Sequence, residues 1–187
     1  MKTVLGFDVS SSTIGWCVLE ISDESIIKYT DSGYFKPVKK GSIIDRLVDT
    51  RKKIQDIIYK YKPDYIGIED LIKFMPKSTA TTVVMLTTFN RMVCLTSYDY
   101  LTSNPGLFNV MSIRHGLKIS KIIPKKEDMP ELVSKHLGII FPYERVLKGK
   151  KNGTIKIENY DRADGMAVAL YYAFLLTGKI KHKGKNK

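Results

Sequence analysis

Apolar and polar positions divide the chain into short β-like runs followed by helical stripes. Residues 3–9 and 14–21 are rich in apolar and β-branched side chains, with the polar, turn-like link Ser10-Ser11-Ser12-Thr13 between them. Residues 25–35 form a third run, bounded by Asp23 and Pro37. The spacing predicts a meander of three antiparallel strands. Over 42–61, Ile43, Ile44, Leu47, Val48, Ile54, Ile57, Ile58 and Tyr61 recur as one helical stripe. Ser42 is a suitable N-cap with Asp45 three residues on, and Pro63 stops the helix. Residues 64–69 read as a short strand buried on both faces, as a parallel central strand is.

The second half alternates helices with one further strand. Val83, Leu86, Phe89, Asn90, Val93, Cys94 and Ser97 mark a long helix over 78–101. Its many threonines weaken intrinsic helicity, so tertiary or dimer packing is expected to support it. Residues 107–111 read as a strand, 112–117 and 128–138 as helices, and the Lys-, Gly- and Asn-rich 143–159 as a loop. An apolar helix spans 160–176, and Gly178 ends it. The expected organisation is one domain over 1–176, with a basic, disordered tail over 177–187.

Charge narrows the function. The chain has 187 residues, 43% of them hydrophobic, which suits one globular domain with a full core. Its 31 Lys and Arg exceed its 19 Asp and Glu, for a formal net charge of +12. That excess points to a polyanion, most commonly nucleic acid; the alternative is a solvated Lys-rich surface in a sequence biased toward Lys, Ile, Tyr and Asn. Cys17 and Cys94 form no CxxC or Cys/His cluster, which argues against zinc and excludes a disulfide framework; both read as small buried apolar residues. No run of about 18 apolar residues indicates a membrane span. The N-terminus leads directly into a strand rather than a signal peptide, and a cytoplasmic setting is expected.

Four carboxylates carry the candidate chemistry. Asp8 ends the apolar run Val4-Leu5-Gly6-Phe7, and Glu69 ends Tyr65-Ile66-Gly67-Ile68. Asp161 and Asp164 lie three apart, on one face of the start of the last helix. A carboxylate at the end of a buried strand is costly unless a cation or donor satisfies it. Ala163, Gly165 and Ala167 are small enough to let that helix lie close to a sheet and bring its acids to the strand ends. Two Mg²⁺ ions about 3.5–4 Å apart, one activating water and the other stabilising the leaving 3′-oxygen, are the chemistry such a set serves. Taken singly, each acid has a plainer reading: a turn with Ser10 for Asp8, an N-cap for Asp161, first-turn electrostatics for Asp164. The joint pattern outweighs these.

Gly6-Phe7-Asp8, Thr13-Ile14-Gly15-Trp16, Gly67-Ile68-Glu69-Asp70 and Asp161-Arg162-Ala163-Asp164-Gly165, in this order, resemble the RuvC-type Holliday junction resolvases, especially bacteriophage forms. The resemblance runs from residue 3 to about 176. It implies an RNase H-like α/β fold: a mixed five-stranded sheet, three antiparallel strands then parallel ones, flanked by helices. It also implies a homodimer and paired Mg²⁺-dependent nicks in a four-way DNA junction, with Mn²⁺ as the expected substitute metal and no small-molecule cofactor. By match to the motif, Asp8, Glu69, Asp161 and Asp164 are the catalytic metal ligands. Where bacterial members place an aromatic wedge three residues after the motif Glu, this chain has Ile72, with Phe74 two residues later. Phe74 is a candidate for insertion at the junction centre, against a core or dimer-contact role.

Lys73, Lys77, Ser78 and Thr79 follow Glu69 and are candidate phosphate contacts; Arg114, Lys118, Lys121, Lys125 and Lys126 form a second basic group. Lys148, Lys150 and Lys151 form a third. His115 and His136 show no ligand spacing. Two other readings compete. One is an actin-like or sugar-kinase-type ATPase fragment, suggested by Gly6-Phe7-Asp8 and the Ser/Thr loop but lacking room for a second half. The other is a non-catalytic branched-DNA-binding protein, disfavoured because an unneeded cluster of negative charge repels DNA.

Overall fold

A computed structural model describes residues 1–71 and 79–181. Strands β1 (Lys2–Val9), β2 (Ile14–Ile21) and β3 (Ile27–Phe35) form the expected antiparallel meander. Helix α1 (Ile43–Tyr61) leads to β4 (Tyr65–Glu69), which lies parallel to β1. Helix α2 (Ala80–Leu101) returns to the short parallel β5 (Gly106–Phe108), giving the strand order β3-β2-β1-β4-β5. Helix α3 (Val110–Leu117), a 3₁₀ turn at Lys126–Asp128, α4 (Met129–Leu137) and α5 (Glu158–Leu176) complete the described chain. The mixed five-stranded sheet flanked by helices is the fold read from the sequence.

Strand parity sorts the side chains. Leu5, Phe7 and Val9 of β1, Ile14 and Val18 of β2, and Ile66 and Ile68 of β4 point to the α1–α2 side, onto Ile54, Ile58, Phe89 and Val93. The opposite face carries Val4, Cys17 and Leu19 against Met166, Ala167, Leu170 and the residues of α3 and α4. Gly6, Gly15 and Gly67 belong to this second face. A Cβ on Gly6 would lie 2.3 Å from the Ala169 backbone nitrogen, and one on Gly15 1.9 Å from the Asp161 carbonyl oxygen. Helix α5 therefore rests on the bare backbone of β1 and β2.

Local signals explain most boundaries. Ser42 caps α1 in a reciprocal capping box with Asp45, and Lys62 ends it in a left-handed conformation before Pro63. Three expectations shift. The strand predicted over 107–111 ends at Phe108, because the Asn109 side chain accepts from the Met111 amide at 2.8 Å and starts α3 at Val110. The last helix begins at Glu158, so Asp161 lies within its first turn and is not an N-cap. Cys94 is half-buried rather than buried. The 143–159 loop folds back on itself, with Arg145 bridging Ile155 and the Lys156 amide donating to the Glu144 carbonyl at 3.0 Å.

Candidate metal centre

The two parallel strands carry a repeated unit, glycine-x-acid. Gly6 and Gly67 are register partners, as are Phe7 and Ile68, and the next residues are Asp8 and Glu69. Parity then turns both acids to the α5 side, where the glycines admit the helix. Gly15 of β2 pairs with Asp8 and touches α5 at Asp161. One turn further on, Gly165 packs on the same strand; a Cβ there would lie 2.6 Å from the Gly15 carbonyl carbon. This stacking of α5 on β2 fixes how far Asp161 and Asp164 stand from the strand ends.

Carboxylate oxygens of Asp8, Asp161 and Asp164 lie within 4.8 Å of one another. Glu69 lies outside that tight group but lines the same hollow of about 410 Å³ as Asp8, Asp164, Arg114 and Lys126. The Lys126 ammonium sits on the cluster, 2.8 Å from Asp161 Oδ1 and 3.2 Å from Asp164 Oδ2. The electrostatics are those of acids lacking sufficient counter-charge. Burial, then the charges of Glu69 and Asp164, push the Asp8 carboxyl well above its ordinary range. Burial and Asp164 raise Glu69 to about 7, with Arg114 and Lys126 pulling the other way. Asp164 is raised by burial despite Lys126 beside it. Burial works against the Lys126 ammonium, yet Asp164, Asp161 and Asp8 hold its pKa above the usual lysine value. A hard divalent cation fits this donor set: all ligands are carboxylate oxygens, and a cationic group already rests among them.

Two buried residues, neither predicted as functional, hold the acid-bearing turn. Arg162, between the two aspartates in sequence, points away from them. Its guanidinium donates to Ser32 Oγ at 2.8 Å, the Ser32 carbonyl at 2.6 Å and the Pro142 carbonyl at 2.8 Å. Asn159 ties the helix start to the preceding loop, accepting from the Glu144 amide and donating to the Glu144 and Lys156 carbonyls. Asn90 of α2 donates to the Glu69 carbonyl at 2.9 Å and steadies the end of β4.

The expected DNA contacts are distributed unevenly. Arg114 lines the acid hollow, and its Nε is buried without a partner among the described residues. Lys126 belongs inside the acid cluster rather than on an outer track. Lys125 is exposed beside it. Lys118 faces separate hollows with His115, Tyr171 and Lys181 on one side and Ile119 and Ser120 on the other. Lys73, Phe74, Lys77 and Ser78, with Ile72, lie outside the described residues. His136 is structural: its Nε2 lies 2.7 Å from the Leu117 carbonyl and its ring meets Phe174 edge-on.

A five-stranded mixed sheet whose adjacent parallel strands carry acids at their ends, faced by a helix adding an acid pair, is an RNase H-like fold with a carboxylate cluster. By sequence and by fold the chain is similar to the RuvC Holliday junction resolvases. It is 32% identical over 83 residues to the crossover junction endodeoxyribonuclease RuvC of Orientia tsutsugamushi (strain Boryong), covering 44% of this chain and 50% of that protein. The chain thus spans about half the length of that relative. Against RuvC of Ehrlichia ruminantium (strain Welgevonden) the identity is 26% over 178 residues, covering 91% and 96%. No family model matches. Among solved structures, Thermus thermophilus RuvC superposes with a TM-score of 0.66 at 15% identity, covering 95% of this chain and 96% of the other. The yeast mitochondrial Holliday junction resolvase Ydc2 gives 0.63 at 15%, covering 96% and 80%. No helix among the described residues is long and apolar enough to cross a membrane.

Proposed function

We propose that this chain is a metal-dependent, structure-specific endonuclease that resolves four-way DNA junctions and related branched DNA by paired nicks. The observation that carries the reading is the meeting of Asp8, Asp161 and Asp164 beside Glu69 and Lys126. Solved relatives support the substrate class: Thermus thermophilus RuvC and the fowlpox virus resolvase are each known in complex with a Holliday junction.

Asp8, Asp161 and Asp164 would hold the catalytic metal, with Glu69 completing a pair of Mg²⁺ sites in which Mn²⁺ substitutes. Bound there, the ions supply an activated water and neutralise the leaving 3′-oxygen. The chain's own groups do the rest. Asp8, Glu69 and Asp164, raised by burial first and then by neighbouring carboxylates, must lose their protons, so activity rises toward neutral pH. Lys126 and Arg114 are cations aimed into the acid hollow, placed to bind the scissile phosphate and offset the charge that builds on its oxygens. Gly15, Gly165 and Arg162 keep the helix acids at fixed distance from the strand acids, as preorganisation demands.

Paired nicking calls for two copies. Helix α2 carries apolar side chains on its outer side as well as on its packed face, beyond what one packed face requires. It leaves Val83, Val84, Leu95 and Tyr98 exposed, the last two lining one hollow with Leu107 of the edge strand β5. This face is the proposed homodimer surface.

Purified protein with a synthetic four-way junction and Mg²⁺ tests the function directly. Symmetric nicks on opposite strands are expected. Binding without nicks across Mg²⁺ and Mn²⁺ titrations sinks the catalytic reading, and ATP hydrolysis without nicks favours the ATPase alternative.

A further inference from the structure

The acid cluster stands on the divide between two hollows. Asp164, Asp8 and Glu69 face the one with Arg114. Asp161 faces the other, of about 530 Å³, and Lys126 lines both. A phosphodiester held at the cluster therefore has room for a nucleotide on either side. The second hollow played no part in the sequence reading. Its walls differ in chemistry: Lys36 and Lys39, from the β3–α1 connection, form one, while Tyr160 and Ile157, from the start of α5, form another.

Their partners distinguish the groups further. Lys36 is spent on Glu158, which that ion pair holds below the usual carboxylate range. Lys39 is exposed and makes no ion pair among the described residues. Tyr160 is half-buried, and its side chain makes no hydrogen bond or ring pair among the described residues. It immediately precedes Asp161, so the helical turn that aims the metal-binding carboxylate also aims the ring. Ile157 is 73% exposed, an apolar surface with nothing laid on it. A free cation and an aromatic ring lining one hollow are the combination that grips one nucleotide of a single strand, the cation its phosphate and the ring its base.

We propose that this hollow is the subsite for the nucleotide adjoining the scissile phosphate, its base stacked on Tyr160 against Ile157 and its outer phosphate on Lys39. The inference rests on the nuclease reading and adds to it a positioning element and a source of preference for the base beside the cut. Glu127, also on the wall, disfavours a second phosphate there.

The test uses the full chain, a four-way junction, and abasic substitutions at each of the two nucleotides flanking the cut. Tyr160→Ala is expected to lower kcat/KM about tenfold, the scale of one lost base–aromatic stack. Tyr160→Phe keeps the ring and should cut like the parent. Removing the base at one flanking position should slow the parent to the same degree and leave Tyr160→Ala no slower than on the intact junction. Parent-like cutting by Tyr160→Ala overturns the subsite, as do losses from the variant and the abasic site that multiply at both positions. Quenching of 2-aminopurine placed at the flanking position separates the two readings. If the chain binds junctions without cutting them, Tyr160-dependent quenching retains the subsite while the nuclease reading falls. Quenching unchanged in Tyr160→Ala removes the subsite alone.

Discussion

Substituting Gly15 with alanine should damage the site without touching any acid. The added Cβ would lie 1.9 Å from the Asp161 carbonyl oxygen, 2.4 Å from its carbonyl carbon and 3.0 Å from the Arg162 nitrogen. All three are backbone atoms, so no side chain can swing aside. Ordinary contact requires the start of α5 to retreat by about 1.5 Å, or β2 to bend by as much, in an interior packed too densely to absorb it locally. Overpacking of this kind costs about 1–3 kcal/mol, which for a chain of this size lowers Tm by roughly 2–12 °C. The retreat carries Asp161 and Asp164 away from Asp8. A misplacement of about 1 Å is enough to cost on the order of a hundredfold in rate. The assay is single-turnover nicking of a four-way junction at a temperature where the variant is folded by circular dichroism. Gly138→Ala is the control: Gly138 has a φ of +65° and open space around it, so alanine there strains the α4 cap without meeting α5. It should lower Tm and leave nicking intact. A Gly15→Ala protein with parent Tm and parent nicking rate would refute the close-packing account of how the acids are placed.

Asp8→Asn should reduce cleavage by more than about a hundredfold while junction binding, read by gel shift, stays within a few-fold, because a ligand is lost but no cation. In EDTA, Tm should fall as pH rises from about 5 through about 7. Glu69 (raised to about 7), Asp8 and Asp164 hold protons more tightly folded than unfolded, so their stabilising contribution is present at low pH and lost as they ionise. Mg²⁺ should flatten that slope and Asp8→Asn make it shallower; equal slopes by scanning fluorimetry would remove the repulsion. Leu95→Glu should shift the protein toward monomer in light scattering, weakening association by at least about tenfold, with its circular dichroism unchanged. Junction affinity should drop about tenfold or more from dilute to physiological salt, and a flat titration would contradict the phosphate contacts.

The fold was legible because its signals are periodic and local. Alternation marked β1 and β2, a helical stripe marked α1, and Ser42 with Asp45 marked its start. The meeting of the acids was legible because Asp8 and Glu69 close apolar runs and Asp161 and Asp164 open the last helical one. Contacts made across the fold leave no such trace. Gly15 meets Asp161 only after β2 and α5 have come together, and in sequence it is one glycine of a turn-rich segment. Lys126 lies 35 residues from Asp161. Among so many lysines, nothing local separates the one that enters the acid cluster from those that face solvent. Asn159 and Arg162 look like ordinary polar residues of a helix start, and only the folded chain reveals them as buried ties. The strand over 107–111 was over-extended because Val110 and Met111 have apolar side chains that suit either element. The Asn109 cap decides between them.

Arg162 ties the edge of the sheet to the acid cluster. Its guanidinium is anchored on Ser32 of β3, the outermost strand on that side, while its neighbours in sequence aim the opposite way at the acids. The side chain works as a strut between a peripheral strand and the first turn of α5, setting that helix's rotation about its own axis. A small slip of β3 would thus swivel both aspartates together and detune the centre from some distance, with every acid still present. Substitutions along β3 therefore offer a way to adjust the proposed cleavage without altering a single acid.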